Sequence, residues 1–189
     1  VSEGVAYIRL ERFTRTAGDD IRSSIKNLRD KGTIKGVILD LRDNPGGLLD
    51  IAVDVASKFL PESTLVVSTK GRRSDSERKY YSIETPMLAD VPLAVLVDRG
   101  SASASEIVAG AIQDVDRGII VGTRSFGKGL VQTITRITEN SSVKITSGRY
   151  YTPSGRSIQE IDYFHRTKDG VFTIKPDSAR KQFQTAHHR

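Results

Sequence analysis

The sequence predicts an α/β fold built on a parallel sheet that is covered by helices. Apolar blocks alternate along the chain between strand-like and helix-like spacing, and this order favours right-handed crossover connections. The run GVILDL (36–41) is rich in β-branched residues and continuous, which is typical of a strand covered on both faces. A chain of 189 residues that is 37% hydrophobic suits one globular domain with a real core.

The predicted elements follow one another in a regular order. The first segment, GVAYIRLERF (4–13), alternates like a strand. The next, DDIRSSIKNLRDKG (19–32), has the apolar spacing of a helix, with Asp19 as its N-cap and Gly32 just past its end. The remaining elements are the strand GVILDL (36–41), the helix LLDIAVDVASKFL (48–60), the strands TLVVSTK (64–70) and PLAVLVD (92–98), the helix SEIVAGAIQDV (105–115), the strand GIIVGT (118–123), and the hairpin partners LVQTITRIT (130–138) and SSVKITSGRYYTP (141–153).

Composition excludes several kinds of protein and site. The chain has no cysteine, so disulfides, thiolate metal sites and cysteine nucleophiles are ruled out. No stretch approaches the roughly 18 consecutive apolar residues of a membrane span, so we predict no transmembrane segment. The net charge of +6 is dispersed, and the densest basic cluster, residues 70–81, is interleaved with acidic residues, so we expect no nucleic-acid partner. The three histidines, His165, His187 and His188, all lie near the polar C-terminus, so catalysis elsewhere must work without imidazole.

Three loops could carry chemistry, because each follows the carboxyl end of a predicted strand, where ligands of α/β proteins gather. The first loop, RDNPGG (42–47), has the composition of a simple turn between a strand and a helix. Its paired glycines, Gly46 and Gly47, would also leave main-chain N–H groups uncovered, where they could bind a substrate oxygen. Taken alone, the loop allows both interpretations.

The second loop, RSFGKG (124–129), holds a lysine between two glycines. Counted from Gly122 it matches the spacing of a phosphate-binding P-loop, but Gly129 stands where that motif needs serine or threonine, and the next segment is strand-like. Ser125 and Lys128 also match the S-x-x-K motif of penicillin-binding proteins, but a segment with two glycines is a poor helix. Neither motif therefore explains Lys128.

The third loop, RGSASAS (99–105), carries three serines where a strand turns into a helix. Ser103 and Glu106 match a capping box, in which the serine only satisfies the first turn of the helix. A serine at such a junction is also where hydrolases place a nucleophile, and the helix N-terminus favours negative charge there. Both interpretations select Ser103, and they are compatible.

Taken together, the three loops resemble a family of proteases. The segments that carry the resemblance are VILDLRDNPGGLLDIAVDVASKFL, PLAVLVDRGSASASEIVAGAIQDVDRGIIVGTRSFGKGLVQT and GRYYTPSGRSIQ. They are similar to the protease core of the C-terminal processing peptidases, also called tail-specific proteases, over about residues 4 to 160. The resemblance implies a Clp-protease/crotonase-like α/β spiral with an added β-subdomain.

The resemblance also implies the residues of the active site. They are Ser103 as nucleophile, Lys128 as general base, Gln132 as the residue that orients the lysine, and Ala104 with Gly46, in preference to Gly47, as main-chain donors to the oxyanion. No cofactor and no metal is implied. Because lysine accepts a proton only as a neutral amine, we expect the apolar neighbours Phe126, Leu130 and Val131 to shield Lys128 from water.

The resemblance further predicts domains, partners and location. We expect residues 1–160 to be an excised protease core without the PDZ domain of the family, and residues 161–189 to be a polar appendage with one short strand at Val171, Phe172 and Ile174. The expected activity is serine endopeptidase cleavage near the accessible C-terminal tails of polypeptides, outside the cytoplasm in a bacterial periplasm or cell envelope. The alternatives are a non-catalytic peptide-binding module, an inactive fragment of the protease, or an amidase of small substrates.

Overall fold

A computed structural model describes residues 4–166, 168–170, 172–174 and 181–189 of the chain. In chain order its elements are β1 (Val5–Arg9), α1 (Ala17–Asp30), β2 (Gly36–Asp40), α2 (Leu49–Ser57), β3 (Leu65–Gly71), a 3-10 turn (Ser74–Ser76), β4 (Arg78–Tyr81), β5 (Leu93–Val97), α3 (Ala104–Asp114), β6 (Ile119–Gly122), β7 (Leu130–Thr138), β8 (Ser141–Tyr151), β9 (Ile161–Arg166) and β10 (Phe172–Ile174).

The central sheet has four parallel strands in the order β1-β2-β5-β6. Ile38 of β2 lies between Tyr7 of β1 and Ala94 of β5, and Ala94 in turn lies opposite Ile119 of β6. Helix α1 connects β1 to β2, and helix α3 connects β5 to β6. Fully buried side chains from strands, helices and loops fill the core, among them Phe13, Ile21, Leu39, Phe59 and Ile107. The predicted α/β class is confirmed.

A second, antiparallel sheet has the strand order β4-β3-β8-β7 and forms the added β-subdomain. It is tied to the rest of the domain through β3, in which Val66 and Val67 are fully buried. Strands β7 and β8 form a long hairpin, and every residue from 132 to 142 is exposed. The hairpin therefore extends away from the core into solvent.

Helix α1 begins earlier than the sequence predicted, so the assignment of Asp19 as its N-cap is wrong. The N-cap is Thr16, whose carbonyl accepts the first helical hydrogen bond from the Asp20 N–H at 2.8 Å. A turn in which the Ala17 N–H donates to the Thr14 carbonyl extends the helix upstream. Asp19 lies instead in the first helical turn, where its charge is favourable beside the exposed N–H groups.

The C-terminal region contains more strand than the sequence pattern suggested. Strand β9 pairs with β10, and the Tyr163 and Phe172 rings meet edge to face with centroids 4.8 Å apart. Such a cross-strand contact is invisible to local spacing because it depends on the register of two polar segments. Val171 lies outside the described residues. In the described part of the chain, no helix combines the length and the hydropathy needed to cross a bilayer.

Candidate active site

Ser103 occupies a sharp turn between β5 and α3, as the predicted nucleophile turn requires. Its backbone has φ 57° and ψ −110°, a conformation that L-residues rarely adopt and that is often found at functional sites. Ser103 is the N-cap of α3, so its side chain stands at the positive end of the helix. It is partly exposed. The hydroxyl is therefore placed at the start of a helix and within reach of solvent.

The other two serines of the third loop are structural. Ser101 and Ser105 are both 0% exposed. The Ser101 hydroxyl donates to the Leu41 carbonyl at 2.8 Å, and the Ser105 hydroxyl donates to the Asn44 carbonyl at 2.9 Å. These bonds join the third loop to the first loop. Of the three serines, Ser103 alone is accessible to a substrate.

The side chain of Glu106 joins the serine loop to the lysine loop. Its Oε2 atom accepts the Ser103 N–H at 2.8 Å and the Lys128 N–H at 2.9 Å. Its Oε1 atom accepts the Ser125 hydroxyl at 2.7 Å and the Gly127 N–H at 2.6 Å. A single oxygen atom thus binds the main-chain nitrogens of Ser103 and Lys128, so these two nitrogens lie within two hydrogen-bond lengths of each other. The carboxylate is buried, so water competes little for these bonds.

Sequence reasoning identified Glu106 only as part of a capping box. The predicted capping box is present, and its bond from the Ser103 N–H to the Glu106 carboxylate is 2.8 Å long. The bonds to residues 125, 127 and 128 are contacts made across the fold, and no local motif announces them. The sequence has no acidic residue between Asp116 and Glu139, but the fold supplies one beside the lysine loop.

Replacing Glu106 with glutamine should loosen this arrangement. Glutamine keeps one acceptor oxygen but turns an NH₂ group toward donors that need an acceptor, so at least two of the four bonds are lost. We expect kcat/KM for peptide cleavage to fall by about 10- to 100-fold, at roughly 1.4 kcal/mol per factor of ten. Glu139→Gln, at the exposed hairpin turn, is the matched control. Unchanged activity of Glu106→Gln would refute the positioning role.

Lys128 lies in solvent rather than behind apolar neighbours. The flanking glycines are buried against another segment: the Gly129 N–H donates to Gln159 Oε1 at 2.8 Å, and the Gly127 carbonyl accepts the Glu160 N–H at 3.0 Å. Lys128 itself is exposed, and Phe126 is 50% exposed. The expected shielding of the amine by its sequence neighbours is therefore contradicted. Gly127, with φ 83°, sets the turn that directs the chain outward.

Gln132 lies on β7, four residues beyond the lysine. It pairs with Thr146 of β8 just after a β-bulge that separates Val131 from Gln132. The residue is exposed, and within the described residues its side chain has no hydrogen-bond partner. A bond from Gln132 to Lys128 is not formed in this structure, and the orienting role stays a prediction.

The two glycines of the first loop differ in what their N–H groups do. Gly46 has φ 96°, and a Cβ atom at its position would lie 2.8 Å from Ser103 Cβ and 2.9 Å from the Ala104 nitrogen. Only glycine fits there, but its N–H is engaged by Asn44 Oδ1 at 2.9 Å. The N–H groups of Gly47 and Ala104 have no acceptor within the described part of the chain. Gly47 is exposed whereas Gly46 is buried, so of the two glycine N–H groups that of Gly47 is the accessible one.

Comparison with known families classifies the chain. The profile of "Peptidase family S41" matches residues 4–177. The chain belongs to peptidase family S41. The resemblance drawn from the three loops is confirmed, and the fold class predicted from it is that of the family.

Individual relatives and a solved structure are consistent with this family assignment. The carboxy-terminal-processing protease of Bartonella bacilliformis is 46% identical over 164 residues, which cover 85% of this chain and 38% of the relative. The carboxyl-terminal-processing protease of Synechocystis is 40% identical over 159 residues, covering 84% and 36%. The solved structure of a photosystem II D1 C-terminal processing protease superposes with a TM-score of 0.75 at 34% identity, covering 92% of this chain and 41% of that one. The chain spans less than half the length of these relatives.

Asn44 organises the first loop of this S41 domain. Its side chain donates to the Leu10 carbonyl at 2.6 Å and accepts the Gly46 N–H. Its main-chain carbonyl accepts hydrogen bonds from the Ala102 N–H, at 2.9 Å, and from the Ser105 hydroxyl. One buried residue thus fixes the glycine turn against the serine loop. The sequence offered Asn44 only as part of a turn, because its partners lie far along the chain.

Asp40 fixes the start of the first S41 loop. Arg42 donates to both carboxylate oxygens, at 2.9 Å and 2.7 Å, and the Tyr7 hydroxyl donates at 2.5 Å. Hydrogen bonds from Arg42 and Tyr7 hold the pKa of the buried Asp40 carboxyl far below its usual range, although burial opposes this. Asp40 therefore remains charged, and the arginine side chain is anchored at the base of the loop.

Asp98 ties the first and third loops of the S41 site together. Its Oδ1 atom accepts the N–H groups of Asp43 and Gly100 at 2.9 Å each and that of Ser101 at 3.1 Å. These main-chain bonds, that from Asp43 foremost, lower the pKa of Asp98 below its ordinary value. The charged Asp98 carboxylate therefore stabilises the folded state above the ordinary pKa of the carboxyl. This stabilisation is lost as the pH falls through the lowered pKa.

Asp98→Asn should destabilise the domain in a pH-dependent way. At pH 7 we expect the Tm to fall by about 5 °C, because an amide is a weaker acceptor for three N–H groups. As the pH falls below the ordinary pKa of an aspartate, the gap from the parent protein should shrink, since the carboxyl of the unfolded parent chain then takes up a proton and the advantage of the charged form is lost. Thermal denaturation followed by circular dichroism measures both values, and Asp90→Asn, an exposed carboxylate, is the control. A Tm difference that is independent of pH would contradict the charged role of Asp98.

Proposed function

We propose that the chain carries the catalytic core of a serine endopeptidase that cleaves polypeptides near their C-terminal tails. The observation that carries the proposal is the junction at Glu106, whose single Oε2 atom binds the main chains of both Ser103 and Lys128. A hydroxyl on a strained turn and an amine on the neighbouring loop form a nucleophile and base pair. The carboxyl-terminal-processing names of its relatives supply the substrate class.

In the proposed reaction the neutral amine of Lys128 removes the proton of the Ser103 hydroxyl as Oγ bonds to the substrate carbonyl carbon. The resulting oxyanion accepts hydrogen bonds from the N–H groups of Ala104 and Gly47. Protonated Lys128 then gives its proton to the amine that leaves as the peptide C–N bond breaks. Water, deprotonated by the same lysine, hydrolyses the acyl-enzyme and regenerates the Ser103 hydroxyl.

The exposed position of Lys128 bears on this step, because a hydrated amine favours its charged form. A polypeptide bound over the loop would displace that water and favour the neutral base. We therefore assign the shielding of Lys128 to the bound substrate rather than to Phe126 and its neighbours. Gln132 then orients the amine in the complex.

Partners and location belong to the same proposal. The substrates are polypeptides with accessible C-termini. The protein acts outside the cytoplasm, in a periplasm or cell envelope, in keeping with bacterial and chloroplastic relatives. Within the described residues, no cluster of histidine, aspartate and glutamate side chains could hold a metal ion, so the proposal uses none.

Trapping the acyl-enzyme tests the proposal. The full-length protein is mixed with an unstructured protein and quenched in acid within milliseconds, and the adduct is located by peptide mass spectrometry. We expect an acyl group on Ser103 and cleavage products that begin near the substrate C-terminus. An adduct on another residue, or cleavage without any adduct, would contradict the mechanism. Peptides with free and amidated C-termini then separate tail-directed cleavage from general amidase activity.

A further inference from the structure

We infer that the outer edge of β7 binds the substrate as an added β-strand. Main-chain hydrogen bonds to this edge would hold the polypeptide beside Ser103, so the substrate class would be extended, unstructured chain of varied sequence. The inference rests on the proposed protease function and specifies how its substrate is held.

Strand β7 is the last strand of its sheet. In the order β4-β3-β8-β7, and within the described residues, β7 pairs on one side with β8 and has no strand on the other. Between a bulge after Val131 and another after Arg136, its pairing with β8 is regular. A regular edge presents a row of N–H and C=O groups that a further strand can bind.

The edge lacks most of the features that protect exposed strands. It contains no proline and one charged residue, Arg136. Its residues are mainly β-branched, and Ile134 and Ile137 are 70% and 67% exposed. Proteins usually blunt such edges with charges or prolines, or make them very short, because an unprotected edge recruits other chains. An edge of nine residues left open in this way suits a site that binds an extended chain.

The position of β7 connects the edge to the proposed chemistry. The strand begins at Leu130, two residues after Lys128, whose N–H shares Glu106 Oε2 with Ser103. A chain paired with the start of β7 would therefore run toward the loop that holds Lys128. The other edge strands of the two four-stranded sheets, β1, β4 and β6, are only four or five residues long, and none of them begins or ends within two residues of Ser103 or Lys128.

The occupant is a segment of substrate rather than a second copy of the protein. An extended peptide presents a row of main-chain donors and acceptors that matches this edge, and among the described edge strands β7 begins nearest in sequence to Lys128. Pairing there would also cover the exposed Lys128 amine, which the proposed base requires. Pairing between two β7 strands would instead block both sites.

A backbone N-methyl scan of one peptide tests the inference. The peptide is a segment of an unstructured protein, its cleavage by the full-length protein is assayed, and its affinity for the Ser103→Ala variant is measured by fluorescence polarisation. In an added strand, alternate N–H groups face the edge, so we expect methylation to weaken binding about 3- to 10-fold at every second position. A flat profile, or one without that period, would overturn the inference.

Substitutions on the protein provide a second measurement. The double variant Ile134→Lys with Ile137→Lys places charges on the edge strand, and we expect it to raise the peptide Kd about fivefold. Because residue 134 lies opposite Lys144 on β8, a small fall in Tm should accompany the change. The matched control is Ile119→Lys with Val121→Lys on β6, another exposed edge. Equal effects of the two double variants would contradict a specific role for β7.

The outcomes separate this inference from the proposed function. Cleavage that depends on Ser103 together with a flat methylation profile refutes strand addition and leaves the protease. A period-two binding profile without any cleavage supports strand addition and refutes the protease. No binding and no cleavage refute both. A flat profile together with a dimer that dissociates in the variant Ile134→Lys with Ile137→Lys assigns the edge to a second copy.

Discussion

Ser103→Ala is expected to lower kcat/KM for an unstructured protein substrate by at least about 10³-fold, the scale at which loss of a covalent nucleophile is felt. The variant removes the one serine oxygen of the third loop that a substrate can reach. It should still fold, with about 1 kcal/mol less stability for the lost N-cap hydroxyl, because alanine keeps the Cβ atom and the Ser103 N–H that binds Glu106. Quantified gel or fluorescence assays of cleavage, together with a melting curve, give the two readouts.

The neighbouring serines provide the controls for this experiment. Ser105→Ala removes the bond to the Asn44 carbonyl and should cost stability, about 1 kcal/mol for a buried hydrogen bond, with a much smaller loss of activity. Ser101→Ala should behave in the same way at the Leu41 carbonyl. Full activity of Ser103→Ala, or a complete loss confined to either control, would refute the assignment of the nucleophile.

Lys128→Arg is expected to reduce kcat/KM by about 10²- to 10⁴-fold, the usual contribution of a general base. Arginine keeps the positive charge and the length of the side chain, but it stays protonated and cannot accept the serine proton. The substitution therefore separates a base from a charge that merely attracts substrate. Because Lys128 is exposed, the larger guanidinium group meets no packing constraint.

The comparison for this prediction is the same exchange at another exposed lysine. Lys144→Arg on β8 should leave activity unchanged. Substantial activity of Lys128→Arg at neutral pH would show that another group accepts the proton.

The fold class and the sharp turn at Ser103 could be predicted from the sequence, because both depend on local order. Alternating strands and helices predicted the parallel sheet, and a serine at a strand-to-helix junction predicted the turn at Ser103. The N-cap of α1 was misplaced by three residues, at Asp19 instead of Thr16, since the upstream turn at Thr14 depends on main-chain bonds rather than on a capping side chain.

The details of the site could not be predicted, because they depend on contacts between distant loops. Gly46 was preferred as an oxyanion donor, but the Asn44 side chain occupies its N–H, and a turn sequence does not reveal that bond. Apolar neighbours of Lys128 suggested burial, yet the packing of Gly127 and Gly129 on residues 159 and 160 directs the loop outward. The fourfold use of Glu106 likewise appears only once the chain is folded.

The shared carboxylate of Glu106 has a consequence for the stage of folding at which the proposed serine and lysine pair forms. Because the same oxygen binds the serine turn and the lysine loop, the two loops are held side by side only once segments 22 residues apart in the chain have met. Under the proposed function, a nascent or partly unfolded chain would lack the paired serine and lysine and would not cleave its neighbours.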